Sequence, residues 1–138
     1  MSTESEGIDG RTLRMIGGGS AMMNTIVFIA IGVLVLDSSA YGVIMGLFAG
    51  TGTFLFLPWI IGRSADQNAR DDRTVGENVR GPGSNTQMGV FGLGLELGAI
   101  AMLSIGFVET EPNLTMGLGV AVGVALAISL VLSVLVNR

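Results

Sequence analysis

Long apolar stretches alternate with short polar interruptions along this chain. The stretches occupy residues 15–36, 40–62, 88–108 and 114–136, and the only formal charge inside any of them is Glu96. A helix rises 1.5 Å per residue, so about 20 apolar residues cross ~30 Å of hydrocarbon. All four stretches are long enough. The interruption formed by Asp37, Ser38 and Ser39, and the one at 109–113 that contains Pro112, are so short that each flanking pair must double back. The pattern therefore predicts an all-α fold, a four-helix transmembrane bundle made of two antiparallel hairpins. A polar N-terminal tail (1–14) precedes a four-span membrane domain (15–138), and a polar linker (63–87) joins the hairpins. The first stretch is longer than the roughly 7 to 15 apolar residues of a signal peptide, so it is read as a retained span.

Charge gives the expected orientation. Arg11 and Arg14 precede the first span, Arg63, Arg70, Arg73 and Arg80 lie in the linker, and Arg138 follows the last span. Four crossings put these regions on one side, which the positive-inside rule makes the cytoplasmic or interior side, with both termini there. The opposite connections carry only Asp37, Glu109 and Glu111. Tyr41 and Trp59 bracket the second span about 27 Å apart at helical rise and are expected as interface anchors; Phe91 and Phe107 bracket the third.

Composition narrows the chemistry. Only 13% of residues are charged and the mean hydropathy is +0.67, far too apolar for a water-soluble fold of this size. With no cysteine and no histidine, thiolate nucleophiles, Ser/His/Asp triads, disulfides and imidazole metal sites are excluded. No enzyme, metal site or cofactor is expected. The basic residues are seven arginines with no lysine, against eleven carboxylates, a balance suited to a salt-rich cytoplasm. Within 63–80 the four arginines meet Asp66, Asp71, Asp72 and Glu77, so that segment sums to zero and offers a nucleic acid little. Asp66 and Arg70 are spaced as a helical ion pair, which predicts a helix continuing from the second span until Gly81, Pro82 and Gly83 break it. Gly17, Gly18 and Gly19 lack the context of a phosphate loop and are expected to loosen the start of the first span. Asn113, Leu114 and Thr115 match a glycosylation acceptor, but one pressed against the membrane edge.

Glycine supplies packing faces. Gly42, Gly46 and Gly50 recur every four residues in the second span, and Gly94 and Gly98 pair in the third. The fourth span carries two small-residue ridges, Gly117, Ala121, Ala125, Ser129 and Ser133 on one face and Gly119, Gly123 and Ala127 on another. Lipid tails are as apolar as leucine, so helices in a bilayer associate through the close contact that small residues permit. Two ridges on one helix exceed what one internal neighbour needs. Self-association or docking of another membrane subunit through the second ridge is expected, beside the lipid bilayer itself.

Glu96 is the candidate for chemistry, because a carboxylate in mid-membrane costs a few kcal/mol. Counted from the inner ends of the spans, Glu96, Asn24, Thr53 and Ser129 lie at depths of eight, nine, nine and seven residues, so they form one expected polar layer. In one reading the carboxyl is kept neutral by its hydrocarbon surround and hydrogen-bonds Asn24 or a threonine to fix helix register. In the other it binds a proton or Na⁺ for exchange across the membrane. Glycine-rich hairpins with one mid-membrane carboxylate look like rotary-ATPase proteolipid subunits, and a four-span chain with one such glutamate is similar to small multidrug exporters. The exporters carry theirs in the first span, however, and Gly94, Leu95, Leu97 and Gly98 around Glu96 do not match the rotor pattern.

The overall layout, with four spans, minimal outer connections, polar parts on the inner side and an arginine-only acidic composition, resembles the small internal membrane proteins of haloarchaeal pleomorphic viruses. That resemblance implies a non-enzymatic, structural or membrane-organising protein lining the inner face of a virus envelope. The rival expectations are a small proton- or Na⁺-coupled transporter centred on Glu96, or an accessory subunit of a larger membrane complex.

Overall fold

The computed structural model describes residues 10–71 and 86–136. They form four helices: α1 (Gly10–Leu34), α2 (Ser39–Asp71), α3 (Thr86–Val108) and α4 (Leu114–Val136). The fold is an all-α bundle, with no strand among the described residues. Each helix contains a segment long and apolar enough to cross a membrane: Arg11–Leu34, Ser39–Ser64, Thr86–Val108 and Leu114–Leu135. α1 begins one turn before the apolar stretch, taking Arg11 and Arg14 into the helix, and α2 continues past Gly62 to Asp71. The proposed breaker at Gly81, Pro82 and Gly83 lies outside the described residues, as do the side chains of Asp66 and Arg70.

The turn between α1 and α2 is made locally. Leu36 N donates to Ile31 O and Ser38 N to Gly32 O, loosening the helix end. Asp37 takes a left-handed backbone (φ 50°), a conformation short polar side chains tolerate. Ser38 then caps α2, its Oγ accepting from Tyr41 N. Asn113 does the same for α4, accepting from Met116 N at 3.1 Å while its own N donates to Glu109. The residue read as a glycosylation acceptor is thus a helix cap.

Neighbouring helices run antiparallel and touch through backbone. Cβ atoms built at Gly42, Gly46 and Gly50 would press on the carbonyl oxygens of Ile29, Thr25 and Ala21, four-residue steps in opposite senses on α2 and α1. Gly94 and Gly98 of α3 face the carbonyls of Ala125 and Ala121 on α4 in the same way. Such contacts permit weak Cα–H···O bonds and dispersion that larger side chains would forbid. Gly17 makes room for the ring of Pro58, which a transmembrane helix tolerates because neighbouring groups take up the freed backbone bonds. It packs a helix rather than loosening one.

The four helices do not close into a ring. α1 packs on α2, α2 on α3 and α3 on α4, with a slight contact between α2 and α4; no Cα of α1 lies within 8 Å of one in described α3 or α4. The core gathers Leu36, Tyr41, Met45, Ala49, Ala99, Met102 and Ala121 where α2, α3 and α4 meet. Tyr41 is fully buried, its hydroxyl donating to Met102 O, with Gly106 and Gly117 leaving space for the ring. The interface anchor expected at Tyr41 is therefore a core residue, because an internal carbonyl takes the place of the headgroup water its hydroxyl would otherwise need. Trp59, near the other end of the apolar part of α2, is half-buried over Gly89. Its ring centroid lies 5.9 Å from that of Phe56, and the Arg63 guanidinium sits 5.6 Å from the indole centroid.

Candidate functional site

Three of the four residues expected in the polar layer meet. Asn24 Nδ2 donates to Thr53 Oγ1 and to Glu96 Oε1, each at 2.7 Å, and Thr53 Oγ1 lies 2.8 Å from Glu96 Oε2. One side chain comes from each of α1, α2 and α3, so the triangle joins helices far apart in sequence. Asn24 Nδ2 also approaches Ala49 O at 3.5 Å. Each of the three side chains is half-buried.

The backbone around the triangle is shaped for Glu96. A Cβ on Gly52 would stand 2.7 Å from Glu96 N and 3.0 Å from its Oε2. A Cβ on Gly92, one turn before Glu96, would lie 2.7 Å from Phe56 N. Glycine at both positions brings α2 and α3 close enough for the carboxyl to reach Thr53 and continue to Asn24. Sequence reasoning missed Gly52 and Gly92 as parts of the site. The available signal was spacing, since Gly92 stands four residues before Glu96 and Gly52 adjoins Thr53.

Ser129 lies elsewhere. Its hydroxyl donates to Ala125 O one turn back at 2.7 Å, and it faces Gly94. Gly94 and Glu96 are two residues apart, about 200° around the helix, so α4 packs on the side of α3 opposite the carboxyl. Ser129 instead lines a groove of about 260 Å³ between α3 and α4, with Gln87, Phe91, Leu126, Leu130 and Ser133.

Of the packing glycines, Gly42, Gly46, Gly50, Gly94 and Gly98 lie in helix contacts, while Cβ atoms at Gly119 and Gly123 would meet nothing within 4 Å. The first ridge of α4 is used internally, with Ala121 and Ala125 buried. The second ridge is bare in the single chain.

The energies of the triangle are comparable. A charged side chain at the centre of a membrane helix costs about 3 kcal/mol on insertion scales. Interhelical hydrogen bonds contribute about 0.6 kcal/mol on average and up to about 1.7. Two of the triangle's three links end on Glu96, and at the upper value they offset a cost of that size, so Glu96 can be held at depth by two neutral partners. No cluster of three or more carboxylates able to hold a metal occurs among the described residues.

Four apolar helices with a polar clasp between three of them define the class: an integral, multi-pass membrane protein. Comparison with protein-family models, curated proteins and solved structures finds no match.

Proposed function

We propose that this protein is a non-enzymatic structural component that organises a membrane, with the Asn24–Thr53–Glu96 triangle acting as an internal clasp. The observation that carries this reading is that both oxygens of the lone intramembrane carboxyl have partners within the subunit. A group so engaged fixes α1, α2 and α3 in register. The short connections between helices also leave little to project from that end as a receptor or attachment device. The bare Gly119–Gly123 face of α4 supports self-association, or docking to another membrane subunit, as the way such a component would assemble. The layout and acidic, lysine-free composition support a place lining the inner face of a haloarchaeal virus envelope.

Crosslinking in native membranes tests the assembly, with oligomers expected for the natural chain and a loss of them for Gly123→Leu. Exclusively monomeric protein would overturn this reading. The clasp has its own measurement: Glu96→Leu should unfold from detergent at lower sodium dodecyl sulfate than the natural chain, and equal resistance would sink it.

A further inference from the structure

The hydrogen count of the triangle leads beyond a static clasp. The Asn24 amide brings two N–H hydrogens and the Thr53 hydroxyl one. When Glu96 is a carboxylate, these three hydrogens fill the three links at 2.7, 2.7 and 2.8 Å: Nδ2 to Oγ1, Nδ2 to Oε1, and Oγ1 to Oε2. A fourth hydrogen on Oε2 reverses the last link, because Oε2 then donates to Thr53 Oγ1 and the threonine hydrogen needs a new acceptor. Ala49 O is four residues back from Thr53 and already borders the triangle, 3.5 Å from Asn24 Nδ2. A hydroxyl bonding the carbonyl four residues back is an ordinary helical arrangement, and Thr25, Ser64, Ser104 and Ser129 adopt it in this chain. A second hydrogen-bond arrangement is therefore open to the triangle once the Thr53 hydroxyl, which here donates to Glu96 Oε2, moves within reach of Ala49 O.

The separations suit a proton rather than a larger cation. Links of 2.7–2.8 Å are hydrogen-bond lengths. Two oxygens held at right angles on one cation at about 2.3 Å stand more than ~3 Å apart. Access exists too. α1 and α3 share no Cα pair within 8 Å among the described residues, and Asn24 and Glu96 meet across the face of α2 with part of each still exposed.

We propose that the Asn24–Thr53–Glu96 triangle is a reversible proton-binding site, on the side of α2 where α1 and α3 stand apart. On loading, a proton bonds to Glu96 Oε2 and the Thr53 hydroxyl hydrogen turns from Oε2 to Ala49 O; release reverses both movements. Tyr41 is the only other titratable side chain inside the four apolar stretches, and its hydroxyl is committed to Met102 O, more than one turn further along α3. Of the arginines whose side chains are described, Arg11 and Arg14 lie in the first turns of α1 and Arg63 just beyond the apolar stretch of α2. The inference rests on the clasp reading and adds a ligand to it.

The test uses the natural chain in membrane vesicles treated with a hydrophobic carbodiimide, which adds a protonated carboxyl across its C=N bond. Modified peptides are located by mass spectrometry over a pH series. Modification of Glu96 should be strong at acid pH and vanish reversibly at alkaline pH, together with a protonated-carboxyl infrared band that Glu96→Gln lacks. Thr53→Val keeps the side-chain volume and removes a donor to the ionised form and an acceptor for the protonated one; the bond to the charged form is the stronger, so its modification should persist to higher pH than in the natural chain. A Glu96 unreactive at every pH, or a band indifferent to pH, would refute proton binding; coincident profiles for Thr53→Val and the natural chain would refute the threonine's part. Neither result bears on the detergent-unfolding comparison of Glu96→Leu, which judges the clasp by itself.

Discussion

At the scale of single residues, the clasp separates hydrogen bonding from charge. In Glu96→Gln the amide oxygen still accepts from Asn24, and the new NH₂ donates to Thr53 Oγ1 as a protonated carboxyl would. Its resistance to unfolding in sodium dodecyl sulfate should lie within ~0.5 kcal/mol of the natural chain. Glu96→Leu removes both links and should cost about 1–2 kcal/mol by the same measurement. Tyr41→Phe retains the packed ring but leaves Met102 O without its phenol donor, so a loss of about 1 kcal/mol is expected. The sequence made Asn24, Thr53 and Glu96 legible through depth, since span ends and helical rise suffice to put them at one level. Depth says nothing about azimuth, which is why Ser129 was grouped with them. Its direction depends on which face of α3 meets α4, a tertiary choice made at Gly94 and Gly98. Tyr41 misled for a related reason: an aromatic at a span end suits the headgroup layer equally well until a buried acceptor is known.

Among the elements, four-residue glycine spacing marked real contact faces, but only the backbone shows which are occupied. Gly42 lies against Ile29 O and Gly32, so Gly42→Ala drives a methyl into backbone that cannot swing aside. Overpacking of this kind costs about 1–3 kcal/mol, and α1 should detach from α2 at lower denaturant. Gly123→Ala meets open space and exchanges a flexible helix residue for a good helix former, worth about 0.5–1 kcal/mol in the opposite direction. Detergent unfolding of these two variants should therefore move in opposite senses. Were Gly123→Ala as harmful as Gly42→Ala, the second ridge of α4 would have to be an occupied contact, within the chain or with another copy. Sequence periodicity could not distinguish the ridges because both satisfy the same small-residue rule.

For the whole molecule, the legible part was the number of helices and the absence of a polar exterior; the open row was not, because apolar stretches look alike whether a neighbour or lipid covers them. α1 and α4 accordingly turn broad apolar faces outward, including Met22, Ile26, Leu130 and Leu135, which only hydrocarbon or another membrane protein can cover. The described arginine side chains gather at one end of this row. Arg11, Arg14 and Arg63 lie at one end, beside Trp59, and Asp37, Glu109 and Glu111 at the other. Arginine near a span end is retained on the cytoplasmic side during insertion, whereas acidic residues contribute little to orientation, so the Arg63 end should face inward. The chain has no cysteine of its own, which makes single introduced thiols clean reporters. Thr110→Cys, in the α3–α4 connection, should react with a membrane-impermeant maleimide on intact right-side-out cells or vesicles. Ser64→Cys, beyond Trp59 on α2, should react only after permeabilisation. The opposite pattern would invert the orientation and leave the bundle intact. Reaction of both from one side would be more serious: α3 lies between them in the chain, and it could not then be crossing the bilayer.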